Sequence, residues 1–321
     1  SAVPADLSEI SHSGTGRISR MLMRPMSLYE SGESNGSVSL GDLFSDNEKV
    51  AGTNSLDLEQ IALLICRGGW PKSIGTNTDV ALQLAINYFD AVVNDDISRV
   101  DNVKRDSEKT KRILRSYARS IASQAKITSI TQDVYANEET EDLINKNATI
   151  SSYISALKKI FVIEDSLAWN PNLRSKTAIR ASDTRYFTDP SIGAAALGLG
   201  PRDLINDIQT MGLMFENLCI RDLRIYADAL DGQVYHYRDR NNLECDAVVH
   251  LRNGSYGLIE IKLGGDRLIE EGAKTLNKLE ANIDTTKMKA PSFKMVLTGV
   301  GNYAYRRKDG VLIVPIGSLK N

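Results

Sequence analysis

Cysteine, histidine and tryptophan are scarce in this chain of 321 residues, which contains three, three and two of them. The cysteines and histidines are scattered along the chain, at Cys66, Cys219, Cys245, His12, His236 and His250. No CxxC pair occurs, whereas a structural zinc site needs four closely spaced ligands and disulfides need partnered cysteines. The sequence therefore predicts neither structural zinc nor disulfide bonds.

Long apolar runs and a secretory leader are also lacking. The longest purely apolar stretches, such as residues 61–66, fall far short of the roughly 18 residues that cross a bilayer. The first residues have neither the basic nor the apolar region of a signal peptide. With 25% charged and 42% hydrophobic residues, the composition is that of a globular protein of two or three domains. We expect no membrane partner and a cytoplasmic location.

The net charge of −2 is a cancellation between segments. Residues 1–98 carry −7, residues 99–126 carry +6, residues 127–165 carry −4 and residues 166–321 carry +3. A block of positive charge is either a nucleic-acid contact or an ordinary solvated helix face. A nucleic-acid partner therefore stays possible.

The basic block is predicted to be a helix with Ser107 as its N-cap. Its cations lie largely outside the apolar stripe and are the candidate nucleic-acid-binding residues, Lys111, Arg112, Arg115 and Arg119. Two earlier helices are predicted at 57–66 and 79–99, after a Gly- and Ser-rich, irregular segment over residues 1–55.

Downstream, the pattern has the order of a winged helix. It predicts a short helix over 138–145, a turn at 146–148, a helix over 149–159 that Thr149 caps, and a wing over 161–169. The second helix is cationic only at its far end, so we do not expect sequence-specific reading of DNA.

The last 120 residues predict an αβββαβ order with one more strand. The helices fall at 202–227 and 266–282, and the strands at 233–238, 243–251, 256–263, 293–300 and 311–319. Alternation in the central hairpin requires a three-residue loop, 252–254, with Gly254 in the left-handed conformation. That register sets Asp246 opposite Glu260 and Glu244 opposite Lys262.

Two carboxylate residues whose Cβ atoms lie about 5 Å apart on neighbouring strands repel each other unless a cation lies between them. Oxygen ligands suit Mg²⁺ or Mn²⁺. Lys262 projects to the same side as Glu260, where its ammonium can orient water or stabilise a phosphorane-like transition state. The alternative is an exposed sheet face with an ordinary ladder of ion pairs.

Asp246, followed 14 residues later by Glu260-Ile261-Lys262 on a hairpin, resembles the signature of the PD-(D/E)XK nuclease superfamily. The resemblance implies a restriction-endonuclease-like fold, metal ligation by Asp246 and Glu260, a catalytic Lys262 and an additional acidic residue, Glu216. Cys245 stands where the superfamily usually has a proline.

The whole chain also resembles uncharacterised prokaryotic AAA-type ATPases with a C-terminal domain of unknown function. The matching stretches are MRPMSLYESG (23–32), CRGGWP (66–71), RYFTDPSIGAAAL (185–197) and LMFENL (213–218). The resemblance divides the multidomain α+β chain into an ATPase remnant, a helical winged-helix-like part and a nuclease-like α/β domain, over residues 1–55, 56–170 and 171–321. No Walker A motif occurs, so we expect ATP to bind only to a longer protein.

Two functions stay open at this point. One is a Mg²⁺- or Mn²⁺-dependent nuclease domain that cleaves phosphodiesters and is attached to an ATPase. The other is a catalytically silent module of the same fold that binds DNA or another protein and regulates the ATPase.

Overall fold

The computed structural model of the chain describes residues 16–17, 21–45, 50–101, 103–136, 142–170 and 182–321. Over these residues the protein is α+β, with a helical N-terminal part and a seven-stranded sheet in the C-terminal part. Among the described helices, none combines the length and the apolar character that a membrane crossing requires.

Seven helices make up the described N-terminal part: α1 (Leu58–Arg67), α2 (Thr78–Ala91), α3 (Ile97–Arg99), α4 (Ser107–Arg119), α5 (Ile127–Val134), α6 (Leu143–Lys159) and α7 (Pro190–Leu197). The predicted helix at 57–66 is confirmed, and Asp57 caps it by accepting a hydrogen bond from the Gln60 amide. The predicted 79–99 helix is present as α2 and α3, joined by a π-turn over Val92–Asp96. Helix α4 packs on α5 and α7.

Two predicted boundaries in the helical part are wrong. The cap of α4 is Asp106, one residue before the predicted Ser107, because its carboxylate accepts from the Lys109 amide. The predicted turn at 146–148 is absent, since α6 runs unbroken from its cap at Asp142. The Thr149 hydroxyl donates to the Asn145 carbonyl inside this helix instead of capping a new one.

The winged-helix order is therefore not reproduced over the described residues. The predicted wing at 161–169 forms isolated bridges, Ile163 with Phe187, Ser166 with Thr184 and Ala168 with His236, and no regular strand. Residues 138–141 of the predicted short helix lie outside the described part of the chain.

The predicted αβββαβ order of the C-terminal part is confirmed, with the long helix divided at Asp207. The single further strand predicted at 311–319 is wrong, because a 3-10 turn over Ile316–Ser318 divides it into two strands, and the strand at Tyr303–Arg306 was not predicted. The elements are α8 (Pro201–Asn206), α9 (Ile208–Ala229), β3 (Gly232–Arg238), β4 (Glu244–Leu251), β5 (Tyr256–Lys262), α10 (Asp266–Ala281), β6 (Phe293–Thr298), β7 (Tyr303–Arg306) and β8 (Leu312–Pro315). Strands β5, β6 and β8 are parallel, and β3, β4 and β7 are antiparallel to their neighbours. Helix α9 packs against β3, β4 and β5, whereas α10 packs against β4, β5 and β6.

The N-terminal segment contributes to two sheets. Strand β1 (Val38–Ser39) pairs in parallel with β9 (Leu319–Lys320) in a separate two-stranded sheet. Strand β2 (Gly52–Thr53) pairs with β7 at the edge of the seven-stranded sheet, whose order is β2-β7-β8-β6-β5-β4-β3. Leu28, Val38, Leu40 and Leu43 are buried in the same core as the helices. The described part of residues 1–55 thus packs as an integral part of the C-terminal sheet and its core.

A buried ion triad ties these parts together. The Arg221 guanidinium of α9 lies 3.0 Å from Asp189 and 2.8 Å from Asp222, and all three side chains are at most 2% exposed. Asp222 accepts from the Leu28 amide of the N-terminal segment at 2.9 Å, and Asp189 accepts from the Gly69 amide after α1 at 2.9 Å. Asp189 is also the N-cap of α7. One guanidinium therefore links four segments of the chain.

We predict that Arg221→Met lowers the free energy of unfolding by about 3–5 kcal/mol, because it leaves two buried carboxylates without their cation. The matched control is Arg119→Met, which removes the exposed ion pair of Arg119 with Asp133 and should change stability by less than about 1 kcal/mol. Urea denaturation followed by circular dichroism measures both. Equal losses for the two variants would contradict the role of the triad.

Candidate functional site

The register of the β4–β5 hairpin agrees with the sequence prediction. Ala247 pairs with Ile259 and His250 pairs with Tyr256, and Gly254 has a φ of 83° in the connecting loop. The regular ladder ends at Ala247, one step before the predicted Asp246–Glu260 pair. The two strands thus separate where the candidate site begins.

A β-bulge redirects Asp246. Strand β4 pairs Val248 with Tyr235 but Cys245 with Tyr237, so Asp246 and Ala247 share the space opposite one residue of β3. The Asp246 carboxylate then accepts a hydrogen bond from the Ile261 amide at 2.7 Å, where a main-chain carbonyl would ordinarily bond. Sequence reasoning missed this bulge, since no glycine or proline marks it.

Lys262 brings the two carboxylates together. Its Nζ lies 3.2 Å from Asp246 Oδ2 and 2.7 Å from Glu260 Oε2, so both acids point into the same space. The predicted pairing of Lys262 with Glu244 is wrong: Glu244 is half-exposed and forms an ion pair with Arg238 across to β3. The bulge displaces Glu244 from the register that the prediction assumed.

Glu260 is buried because α10 covers its face of the sheet. The residue is only 4% exposed, and a Cβ on Gly272 of α10 would lie 3.3 Å from its own Cβ. The alternative of an exposed sheet face with a solvated ladder of ion pairs does not describe this position. The glycine allows the helix to approach closely enough to exclude water from the carboxylate.

Glu216, on α9, is the third carboxylate of the site. Its Oε1 accepts a hydrogen bond of 2.5 Å from the hydroxyl of Tyr186. Burial, and then the charge of Asp246, raise the pKa of Glu216 well above its ordinary value. The resemblance gives Glu216 the role of the additional acidic residue on the helix. Glu216 lies close enough to Asp246 for the charge of Asp246 to raise its pKa.

The site would hold more negative charge than Lys262 neutralises if all three carboxyl groups were ionised, so two of them keep their protons to a higher pH than usual. Burial, and then the charge of Asp246, raise the pKa of Glu260 to about 8. Burial lowers the pKa of Lys262, but the two carboxylates outweigh it and leave that pKa above its ordinary value. Three carboxylates around one ammonium form an environment that favours a further cation.

Asp246 and Glu260 offer carboxylate oxygens, which are the kind of ligand that Mg²⁺ and Mn²⁺ prefer. Over the described residues, no group of three or more His, Cys, Asp or Glu side chains is arranged to hold a metal ion. A magnesium ion is commonly held by one or two carboxylates, with water and substrate phosphate completing its shell. The donor set fits that open kind of site and not one closed by protein ligands.

Thr298 is a neighbour of Lys262 in the sheet that sequence reasoning missed. It pairs with Lys262 in the parallel ladder of β5 and β6, which puts the two side chains on the same face. Its Oγ1 is buried and has no hydrogen-bond partner among the described residues. The available signal was a hydroxyl residue at the carboxyl end of a buried strand.

The predicted nucleic-acid-binding residues lie on α4. Arg112, Arg115 and Arg119 are exposed, at spacings that place them on one helix face. Lys111 forms an ion pair with Glu108 on the same helix, at 3.1 Å, and Arg119 pairs with Asp133 of α5 at 2.8 Å. The cations are thus presented to solvent, with acidic residues beside two of them.

Two family matches divide the chain. Residues 58–203 match a family described as Domain of unknown function (DUF8612), and residues 211–319 match one described as Domain of unknown function (DUF4143). The second family is found in architectures associated with AAA-type ATPases. No curated protein matches the chain. The three carboxylates and Lys262 lie within the second match, whereas Tyr186 and the basic face of α4 lie within the first.

The raised pKa of Glu260 predicts a pH dependence of stability. Between the ordinary pKa of 4.5 and about 8, the folded protein keeps a proton that the unfolded chain has lost. Stability therefore falls as the pH rises through this range, by at most about 1.4 kcal/mol per pH unit from this group. Urea denaturation of the metal-free protein at pH 5 to 9 should show a steeper fall than for Glu260→Gln, and parallel curves would refute the assignment.

Proposed function

We propose that this chain carries a metal-dependent nuclease site of the PD-(D/E)XK kind, which cleaves phosphodiesters with Mg²⁺ or Mn²⁺. The observation that carries the proposal is the convergence of Asp246 and Glu260 on Lys262 at the end of a hairpin, with Glu216 beside them. The order of strands and helices around the site supports a restriction-endonuclease-like fold. The match to DUF4143 supports a place beside an AAA-type ATPase.

The roles follow from the chemistry of the side chains. Asp246 and Glu260 would hold the cation, which when bound supplies positive charge to the phosphate and acidifies water. The Lys262 Nζ donates hydrogen bonds to the attacking water or to a phosphate oxygen, and it stabilises charge that develops on that oxygen. The Thr298 hydroxyl, which lacks a partner among the described residues, is available to hold the same group. Burial of Glu260 by α10 keeps bulk water away from its carboxylate.

A second function is favoured by a different observation. Lys262 already bonds both carboxylates, and the described residues contain no group of three or more metal-ligating side chains. These contacts suit a catalytically silent module that keeps the nuclease fold and regulates the ATPase through protein or DNA. The experiments below separate the two functions.

We expect the chain to nick plasmid DNA with Mn²⁺, and Lys262→Ala to reduce the rate about 10²–10³-fold, because the ammonium acts on charge that develops in the transition state. Lys308→Ala, an exposed lysine between β7 and β8, is the matched control and should leave the rate unchanged. Activity that persists in Lys262→Ala would identify a contaminating nuclease.

Calorimetric titration with Mn²⁺ tests the metal site separately. The wild type should give heat that the Asp246→Ala, Glu260→Ala double variant does not. Binding without cleavage would favour the silent module. If the wild type gives no more heat than the double variant, the proposed metal site is wrong.

The basic face of α4 predicts a salt-dependent affinity for DNA of any sequence, because cations that contact phosphates release counterions. Replacing Arg112, Arg115 and Arg119 by alanine should weaken binding at low salt and flatten its dependence on salt concentration. The matched control neutralises three exposed cations of another helix, Arg267, Lys274 and Lys278 of α10. Fluorescence anisotropy with labelled duplex measures both, and equal losses would show that α4 is not the binding face.

A further inference from the structure

We infer that Tyr186 is a positioning residue for Glu216, so that the candidate site of the C-terminal part is completed by the helical part. The inference rests on the proposed function. The Tyr186 hydroxyl donates to Glu216 Oε1 at 2.5 Å, and Tyr186 itself is fully buried. Tyr186 lies in the match over 58–203 and Glu216 in the match over 211–319, so the bond crosses between the two matched regions.

The next residue along each segment repeats the contact. Asn217, which follows Glu216 in α9, accepts from the Phe187 amide at 3.0 Å and donates to the Phe187 carbonyl at 2.9 Å. Asn217 and Phe187 are both fully buried. Two consecutive residues of one segment thus bond two consecutive residues of α9. These bonds fix the position of the Tyr186 segment along α9 and the direction of the Tyr186 phenol relative to Glu216.

The segment that carries Tyr186 is itself held on its other side. The Tyr186 carbonyl accepts from the Glu164 amide at 3.0 Å and from the Tyr117 hydroxyl of α4 at 3.3 Å. The guanidinium of Arg224 lies 5.6 Å from the centre of the Tyr186 ring, within the range of a cation–π contact. The phenol is therefore placed by contacts outside the site.

The chemical consequence concerns the third carboxylate. Glu216 is partly buried within the electrostatic range of Asp246, and a carboxylate there without a partner would turn toward water or take up a proton. A hydrogen bond from a fixed phenol holds the carboxylate group in one orientation. Residues that orient the ligands of a metal commonly change its affinity by about 10- to 100-fold when they are removed.

The test compares two buried tyrosines whose hydroxyls each donate one hydrogen bond. Tyr256 is also fully buried, and its hydroxyl donates to the Lys289 carbonyl at 2.7 Å, outside the Tyr186–Glu216 contact. We expect Tyr186→Phe to raise the Mn²⁺ dissociation constant about 10-fold in calorimetry, and Tyr256→Phe to leave it unchanged. Urea midpoints of the two variants show whether loss of stability alone changes the affinity. Because each variant removes one oxygen atom, both chains should fold.

A double-variant comparison then shows whether Tyr186 acts through Glu216. If it does, adding Tyr186→Phe to Glu216→Gln leaves the dissociation constant at the value for Glu216→Gln alone. A further 10-fold loss in the double variant would overturn the inference. So would wild-type affinity in Tyr186→Phe, while the proposed function would stand. A wild-type chain that binds no Mn²⁺ overturns the proposed function, and the role of Tyr186 with it.

Discussion

The structure depends on the charge placed in the middle of α9. Arg221 has no access to water, so its guanidinium is tolerable only while Asp189 and Asp222 stay within hydrogen-bond distance. Those carboxylates in turn hold the amides of Leu28 and Gly69, which belong to segments far apart in sequence. A hydrophobic contact between the same segments would permit sliding, whereas charged hydrogen bonds in a low-dielectric interior have one geometry.

Helix α9 therefore serves as the common reference for both parts of the molecule. Its middle carries Glu216 and Asn217, which bond the 186–187 segment, and little more than one turn later Arg221 and Asp222 bond Asp189 and the Leu28 amide. The hydrophobic side of the helix packs on the same sheet whose hairpin supplies Asp246, Glu260 and Lys262. The position of the third carboxylate relative to the other two is thus set by the packing of the whole core, and not by a local loop.

Local pattern predicts the hairpin register, because alternation of apolar residues and the left-handed Gly254 leave one solution. The same pattern gives the αβββαβ order, since each of those elements is bounded by turn residues, but it does not give β7, a four-residue strand with mostly exposed side chains. It does not give the bulge at Asp246, which follows from packing against β3 and from the bond to Ile261. The unbroken α6 was missed because a threonine hydroxyl can either cap a helix or donate to a carbonyl within one, as Thr149 does to Asn145. Local sequence does not distinguish the two. Tyr186 was missed as a site residue because its partner lies 30 positions away.

The pairing of β1 with β9 has a consequence for how the chain reaches its native state. The strands lie some 280 residues apart, and β2 likewise waits for β7. Contacts between such distant residues carry a large loop-closure entropy, so proteins that depend on them fold slowly. Strand β2 is synthesised long before β7, so it must stay available until the last strands of the sheet form. In the native sheet this two-residue strand covers the edge that β7 would otherwise present, and an uncovered edge is a template for pairing between chains.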